Sequence, residues 1–297
     1  MTHDSSIDHI GFLNISEDFA FDGGRLTCSP NFAESKQTVE SRTNLDGYVY
    51  PWITHRARTN LRTGKTRKLA HTERQTLLHQ MPVSHDLVME GTSDPIEARK
   101  FLSGFVMHCF SFLYGTRLQF HDWWLDGRIP MKSTVDVNVR LSAVDRFVSS
   151  AIHTWREKLD DRQRMVASNV LFLFAKSGSL EWDWEKCQME YIVFDATFSL
   201  GWNKPFNPPH AQRFEAICET YGLLNNPDLT KLFVTLRNDL FHEALWDSGQ
   251  PGTARSSIAS YAPYNLRRFN HRLLTAILSG TSEYTKSDWW HMGPVVF

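Results

Sequence analysis

The chain has 297 residues, of which 41% are hydrophobic, so it can bury a substantial core in one large domain or two ordinary ones. Its formal net charge is −1, so any contact with nucleic acid must come from a local patch. No apolar run approaches the about 18 residues of a membrane span, which predicts no membrane partner. Four cysteines without paired spacing, and no secretory leader, predict a reduced, cytoplasmic setting.

Residues 1–92 are predicted to form a small β-containing module of unknown role. Residues 1–41 are polar and show no regular pattern. Residues 48–54 are rich in strand formers, and residues 85–89 predict a further strand. Between them, Arg62-Thr63-Gly64-Lys65 is typical of a hairpin turn.

The densest basic run of the chain lies in this module. It comprises Arg56, Arg58, Arg62, Lys65, Arg67, Lys68 and Arg74, with Glu73 as the nearby acid. Phosphate contacts need such a patch, so Arg62, Lys65 and Arg67 are candidate RNA-binding residues. The alternative is a solvated hairpin, because charges on surface strands discourage edge pairing and strand alternation would send them to both faces.

Residues 93–297 are predicted to be a helical bundle, so the fold class is mainly α. Apolar periodicity and capping residues predict helices over residues 96–114, 141–158, 160–176, 181–202, 211–223, 228–246 and 256–278. The apolar tail from Trp289 to Phe297 is expected to dock on another surface.

The helix predicted over residues 228–246 carries Arg237, Asn238 and His242. No other group of side chains in the sequence is as well suited to bind a phosphate and transfer a proton. An arginine fork suits a phosphate, and histidine suits proton transfer near neutral pH. Asn238 and His242 are four residues apart and are expected on one side, opposite a leucine-rich core stripe. A second apolar flank includes Phe241, so the helix would lie in the middle of a bundle or meet another subunit.

The spacing of Arg237 and His242 is weak support by itself, since Arg74 with His79 and Arg146 with His153 have comparable spacings. In context, however, the run from Leu236 to Trp246 resembles HEPN domains, which are helical bundles that carry Arg-(x)4-6-His on a late helix. The aromatic helix predicted over residues 181–202 is similar to the one that precedes the motif helix in such proteins. The resemblance covers roughly residues 140–280.

This resemblance implies a metal-independent RNA endonuclease that cleaves by 2′-OH attack and needs no cofactor. Arg237 would hold the scissile phosphate, His242 would act as general acid or base, and Asn238 would orient one of these groups. Two motifs would face each other across a basic cleft of a homodimer. Toxin–antitoxin systems and phage defence are the implied settings, with an antitoxin or another protein as candidate partner.

The last long predicted helix carries Arg267, Arg268 and Arg272, which are candidate RNA-binding residues. They would add a basic wall near the motif helix. The alternative is a solvated helix face.

Two other functions remain open from the sequence. One is a non-catalytic HEPN-like module that dimerises or contacts nucleic acid or a protein partner. The other is a purely structural network of Arg237, Asn238 and His242. Glycine-rich phosphate loops, His-Glu-x-x-His, Cys-x-x-Cys and Gly-x-Ser-x-Gly do not occur, which disfavours ordinary nucleotide hydrolases, zinc sites and esterases.

Overall fold

A computed structural model describes residues 5–51, 57–59, 63–68, 78–91, 94–252, 255–291 and 295–297. This part of the chain is about 52% helical and mainly α, as the sequence predicts. It contains ten α-helices, namely α1 (Phe32–Glu40), α2 (Pro95–Lys100), α3 (Leu102–Tyr114), α4 (Leu141–Glu157), α5 (Asp161–Ser177), α6 (Asp183–Gly201), α7 (His210–Tyr221), α8 (Pro227–Asn238), α9 (Ser257–Ser279) and α10 (Glu283–Lys286). Among these described helices, none combines the length and apolar character that crossing a bilayer requires.

The described strands are short. They are β1 (Ser5–Gly11), β2 (Phe19–Phe21), β3 (Gly24–Cys28), β4 (Tyr48–Val49), β5 (Ala57–Thr59), β6 (Thr66–Lys68), β7 (Leu78–His79), β8 (His85–Glu90), β9 (Gln119–Phe120), β10 (Leu125–Asp126), β11 (Ile129–Pro130), β12 (Val137–Asn138) and β13 (Val295–Val296). Five of them form an antiparallel sheet in the order β2-β3-β8-β1-β9. The others pair as β4 with β11, β5 with β6, β7 with β10 and, in parallel, β12 with β13.

The N-terminal predictions have mixed outcomes. Strand β8 confirms the strand expected over residues 85–89, and the antiparallel pair β5–β6 confirms the hairpin. Residues 1–41 were expected to be irregular, and this is wrong, since β1, β2, β3 and α1 lie there. The apolar alternation typical of a strand is absent from β1, because its buried face carries the polar residues Ser6 and Asp8 while Ile7 is 57% exposed.

The sheet packs directly on the helices that follow it. Ile10, Leu26 and Leu87 from the strands belong to the same buried cluster as Phe105 and Phe110 of α3. The sheet also takes β9 from beyond residue 92. Apolar burial of this kind is the main favourable term in folding, and here it joins the strands to the first helices of the bundle.

A second core cluster holds α6, α7, α8 and α9 together through aromatic rings. The rings of Phe194 (α6) and Phe214 (α7) are stacked with centroids 3.8 Å apart. Phe269 of α9 lies 5.3 Å from Phe214, and Trp289 lies 5.2 Å from Phe269 and 5.9 Å from Phe233 of α8. Trp289 is fully buried, so this part of the apolar tail docks on the bundle as expected.

A buried ion pair ties α9 to its surroundings. Arg267 donates to Glu190 Oε1 of α6 at 2.7 Å, to the carbonyl of Phe174 at 2.5 Å and to the carbonyl of Thr134 at 3.1 Å. Asn270 donates to Glu190 Oε2 at 2.8 Å. Because Glu190 is 0% exposed, its charge depends on these partners.

We expect Glu190→Ala to lower the free energy of unfolding by about 3–5 kcal/mol, because it leaves the Arg267 guanidinium buried without its counter-ion. Urea denaturation followed by far-ultraviolet circular dichroism measures the change. Glu219→Ala on α7 is the matched control, since this glutamate is exposed, and its effect should stay below about 0.5 kcal/mol. Equal stability of the two variants would contradict the structural role given to Glu190.

Candidate functional site

The motif helix begins where the sequence predicts and ends earlier. Asn226 accepts a hydrogen bond from the Leu229 amide at 3.2 Å, and Pro227 occupies the first helical position. The α-helix stops at Asn238 and continues as one π-helical turn over Asp239–Glu243. The expected end at residue 246 is therefore wrong, because Ala244 adopts a left-handed conformation with φ 55° and Trp246 turns into the core, where it is 1% exposed.

The π-helical turn brings Arg237 and His242 together. On a regular α-helix, two residues five positions apart point about 140° away from each other. A π turn forms i→i+5 hydrogen bonds and winds less per residue, so such residues approach one side. As a result, Arg237 Nη1 donates to His242 Nε2 at 3.1 Å and to Asn238 Oδ1 at 3.0 Å.

The bond from Arg237 defines the state of the His242 ring. Arginine has donors and no acceptor, so Nε2 of His242 must present its lone pair. A neutral His242 therefore carries its proton on Nδ1.

The three motif residues reach the surface. Asn238 and His242 are exposed, and Arg237 is half-buried. The Arg237 guanidinium lies 5.1 Å from the ring centre of Phe241 and 5.9 Å from that of Tyr191. Its Nε is buried without a hydrogen-bond partner. The two aromatic rings thus pack against the guanidinium itself, which is part of a half-buried side chain.

A second polar group lies beside Tyr191, on α6 and α7. Arg213 Nη1 donates to Asp195 Oδ1 at 2.9 Å, and His210 Nδ1 lies 3.5 Å from the same oxygen. The His210 ring is 6.4 Å from the Tyr191 ring. Burial lowers the pKa of His210, Asp195 opposes this, and Arg213 and Arg237 lower it further.

The sequence did not reveal four residues of this site, namely Tyr191, Asp195, His210 and Arg213. The one local signal was His210 and Arg213, which lie three residues apart on one side of a helix. Their link to Asp195 and to the motif depends on contacts between α6, α7 and α8, which no local pattern contains. Burial also raises the pKa of Tyr191, whose hydroxyl is buried without a partner.

Two of the three candidate arginines of α9 are buried, and Arg268 is partly exposed. Arg267 and Arg272 are 6% and 2% exposed. Arg272 donates to the Ser287 and Asp288 carbonyls at 3.1 and 2.8 Å, and Arg268 binds Asp136 and donates to the His291 carbonyl at 3.1 Å. These bonds fasten α9 to neighbouring segments, and contact of the three arginines with RNA remains a prediction.

The basic hairpin is described in part. Lys65 and Arg67 are exposed, whereas Arg62 lies outside the described residues. In β5–β6, Arg67 pairs in register with Arg58. Their proposed contact with RNA also remains a prediction.

The arrangement around Tyr191 offers groups for binding an anion and moving protons. Arg237 and Arg213 supply two guanidinium groups, and His242 and His210 supply two imidazoles. In the described ranges, His, Cys, Asp and Glu side chains form no group of three that could hold a metal ion.

No protein-family model, curated protein or solved structure matched this chain. A function must therefore be inferred from the arrangement of Arg237, His242 and their neighbours.

We expect neutral His242 to carry its ring proton on Nδ1, because Arg237 donates to Nε2. Long-range proton–nitrogen NMR spectra of the ¹⁵N-histidine-labelled protein distinguish the two tautomers by the nitrogen shifts. Arg237→Ala should abolish the preference, and exposed His153 on α4 serves as an internal reference. A proton on Nε2 in the unaltered protein would show that this hydrogen bond does not form in solution.

Proposed function

We propose that the chain is a metal-independent RNA endonuclease. The observation that carries the proposal is the solvent-accessible pairing of the Arg237 guanidinium with His242 Nε2 at 3.1 Å. A purely structural network would bury these groups, since polar networks that specify packing lie in the core. Here Asn238 and His242 are exposed.

In the proposed reaction a ribose 2′-OH attacks the adjacent phosphorus. The O2′–P bond forms and the P–O5′ bond breaks, which leaves a 2′,3′-cyclic phosphate and a 5′-hydroxyl. One proton leaves O2′, and one is delivered to O5′. Arg237 would bind the non-bridging oxygens and stabilise the charge that develops on them.

The resting geometry supports a proton-accepting role for His242. Its Nε2 lone pair is held by Arg237 in the free protein. When Arg237 turns its donor towards a phosphate, the lone pair becomes available for the 2′-OH proton. Asn238, whose Oδ1 accepts from the same Arg237 nitrogen at 3.0 Å, would keep the guanidinium in position during this exchange.

The group around Asp195 would extend the site along the RNA. Arg213, whose Nη1 is shared between Asp195 Oδ1 at 2.9 Å and His210 Nδ1 at 3.4 Å, would contact a phosphate next to the scissile one through its other guanidinium nitrogens. His210, beside Asp195 and Arg213, would supply a second imidazole to the site.

We further propose that a second copy of the chain covers the apolar side chains next to the motif. Phe241, which lies against the Arg237 guanidinium, is 44% exposed, and Ile192, the residue after Tyr191 on α6, is 38% exposed. Exposed apolar groups beside polar ones are typical of interaction sites. A homodimer would place two motifs close together, and each would supply an imidazole. Toxin–antitoxin systems or phage defence, with an antitoxin or other protein partner, are the biological settings that we propose.

We expect the purified protein to cleave labelled single-stranded RNA in the presence of EDTA and to leave 2′,3′-cyclic phosphate ends. His242→Ala should reduce the rate by about 10²–10⁴-fold, because it removes the proton-transfer group. Arg237→Ala should reduce it by about 10²–10³-fold through loss of charge stabilisation. Gel electrophoresis, with phosphatase treatment to identify the ends, measures both.

The chain provides its own matched controls for this experiment. Arg146 and His153 on α4 are both exposed and have a similar spacing, so Arg146→Ala and His153→Ala should leave the rate unchanged. RNA that binds but stays intact would favour the alternative of a non-catalytic module. Full activity of His242→Ala would remove this histidine from the mechanism.

We expect the protein to be a dimer by size-exclusion chromatography with light scattering, and Phe241→Ser to shift it towards the monomer by removing an apolar contact. Met165→Ser on α5 is the control, since Met165 is 62% exposed and lies on another helix. A monomer at all concentrations of the unaltered protein would refute the dimer and leave the cleavage test unaffected.

A further inference from the structure

A row of alternating cations and aromatic rings leads away from the motif along α6 and α7. The Arg237 guanidinium lies 5.9 Å from the centre of the Tyr191 ring, which is itself 6.4 Å from the centre of the His210 ring. Further along, the Arg213 guanidinium lies 5.2 Å from the centre of the Phe198 ring. Tyr191 and Phe198 are about two turns apart on α6. This aromatic–cationic row therefore extends well beyond the motif.

The row ends in the loop that follows α6. The rings of Phe198 and Trp202 are stacked with centroids 5.1 Å apart, and Lys204 Nζ lies 4.7 Å from the centre of the Trp202 ring. Phe206, in the same loop, is 68% exposed. Within the part of the chain that the structure describes, no other ring and no cation is stacked on Phe206. Phe206 therefore presents its ring to solvent at the far end of the row.

We propose that Phe206 is the stacking platform of a base-binding subsite for single-stranded RNA. The inference rests on the proposed function, because it takes the RNA to lie with its scissile phosphate at Arg237 and His242. Stacking on an exposed aromatic ring is favourable for every base, since each base has a π face. The bases of duplex RNA are stacked inside the helix, so this subsite would select single strands.

The loop holds Phe206 in a fixed position. Trp202 Nε1 donates to the Phe206 carbonyl at 2.7 Å. Pro205, directly before Phe206, restricts the backbone because its ring fixes φ. Arg213 Nε donates to the Pro208 carbonyl at 3.3 Å and so joins the loop to α7. Ordering a loop on binding reduces affinity, and a loop that is already held in place avoids most of this cost.

The charges along the row suit a phosphate backbone. Arg237, Arg213 and the exposed Lys204 are cationic. Across the described residues, Asp195 is the carboxylate that pairs with these cations, and it accepts from Arg213 Nη1 at 2.9 Å. The row therefore carries more positive than negative groups. Contacts of cations with phosphates and of rings with bases are both independent of sequence, so we expect little sequence preference at this subsite.

The subsite lies several nucleotides from the motif. Trp202 directly follows α6 and is about 16 Å from Tyr191 along the helix axis, at about 1.5 Å per residue. Phe206 lies beyond Trp202 in the chain. A strand that contacts both Arg237 and Phe206 must therefore be longer than a mononucleotide.

Fluorescence anisotropy with a labelled single-stranded RNA of about eight nucleotides tests the proposal. The full chain carrying His242→Ala is used so that the RNA stays intact. In this background, Phe206→Ala should weaken RNA binding by about 5–100-fold, because a stacked base loses its partner. Phe206→Tyr should keep the affinity. Phe206→Leu should lose as much affinity as Phe206→Ala, because leucine supplies apolar area without a ring face.

Duplex RNA and a distant phenylalanine provide the controls. The duplex of the same RNA should bind at least about tenfold more weakly, and Phe206→Ala should leave its affinity unchanged. Phe101→Ala should leave single-strand binding unchanged, since Phe101 is 57% exposed and lies at the junction of α2 and α3.

Three results would overturn the subsite. One is absence of RNA binding up to about 1 mM. Another is full affinity of Phe206→Ala or Phe206→Leu for the single strand. The third is a shift of Phe206→Ala from dimer to monomer with unchanged RNA binding, which would assign this ring to a protein contact.

Failure of the subsite and failure of the proposed reaction are distinguishable. If the unaltered protein leaves RNA intact while binding depends on Phe206, the reaction is refuted and the subsite stands. If cleavage requires His242 while Phe206→Ala binds RNA normally, the subsite is refuted and the reaction stands.

Discussion

The buried guanidinium of Arg267 is the constraint on which the rest of the bundle depends. A guanidinium has five donors and keeps its charge, so a fold that buries it must surround it with acceptors. Arg267 meets this requirement with Glu190 of α6, the Phe174 carbonyl of α5 and Thr134 of the segment before α4. Three separate parts of the chain are thereby fixed relative to α9. Since Tyr191 follows Glu190 directly and Asp195 is on the same helix, the same contacts orient one wall of the candidate site.

The motif itself depends on an irregularity. Phe233 and Leu236 anchor α8 in the aromatic core, and Trp246 is anchored again beyond the turn. Between these buried residues the α-helix changes into a π turn, and this change places Arg237 within hydrogen-bond distance of His242. Turns of this kind are often found at functional sites. They interrupt the regular α-helical hydrogen bonds and change the direction in which the side chains point. The core and the polar surface of this helix are therefore parts of one arrangement.

Local signals predicted much of the helical part. Asn226-Pro227 marked the start of α8, and Asp160 caps α5 with Gln163 in a reciprocal pair. What the sequence did not reveal depends on contacts between distant residues. Strand β1 could not be recognised locally because it buries Ser6 and Asp8, and Asp8 Oδ1 accepts a hydrogen bond from Arg99, 91 residues away. Asp195 and Arg213 come into contact only when α6 and α7 pack together. The change of α8 into a π turn follows no simple residue pattern. The predicted single helix over residues 96–114 is likewise divided at Phe101 into α2 and α3.

The near-parallel stack of Phe194 and Phe214 has a consequence for how this protein can change over generations. Each ring is the direct neighbour in sequence of a polar residue in the cluster, Phe194 of Asp195 and Phe214 of Arg213. A core substitution that altered the ring spacing would also move a carboxylate and a guanidinium at the surface. Selection for packing and selection for surface chemistry therefore act here on the same two pairs of adjacent residues, and neither can drift independently.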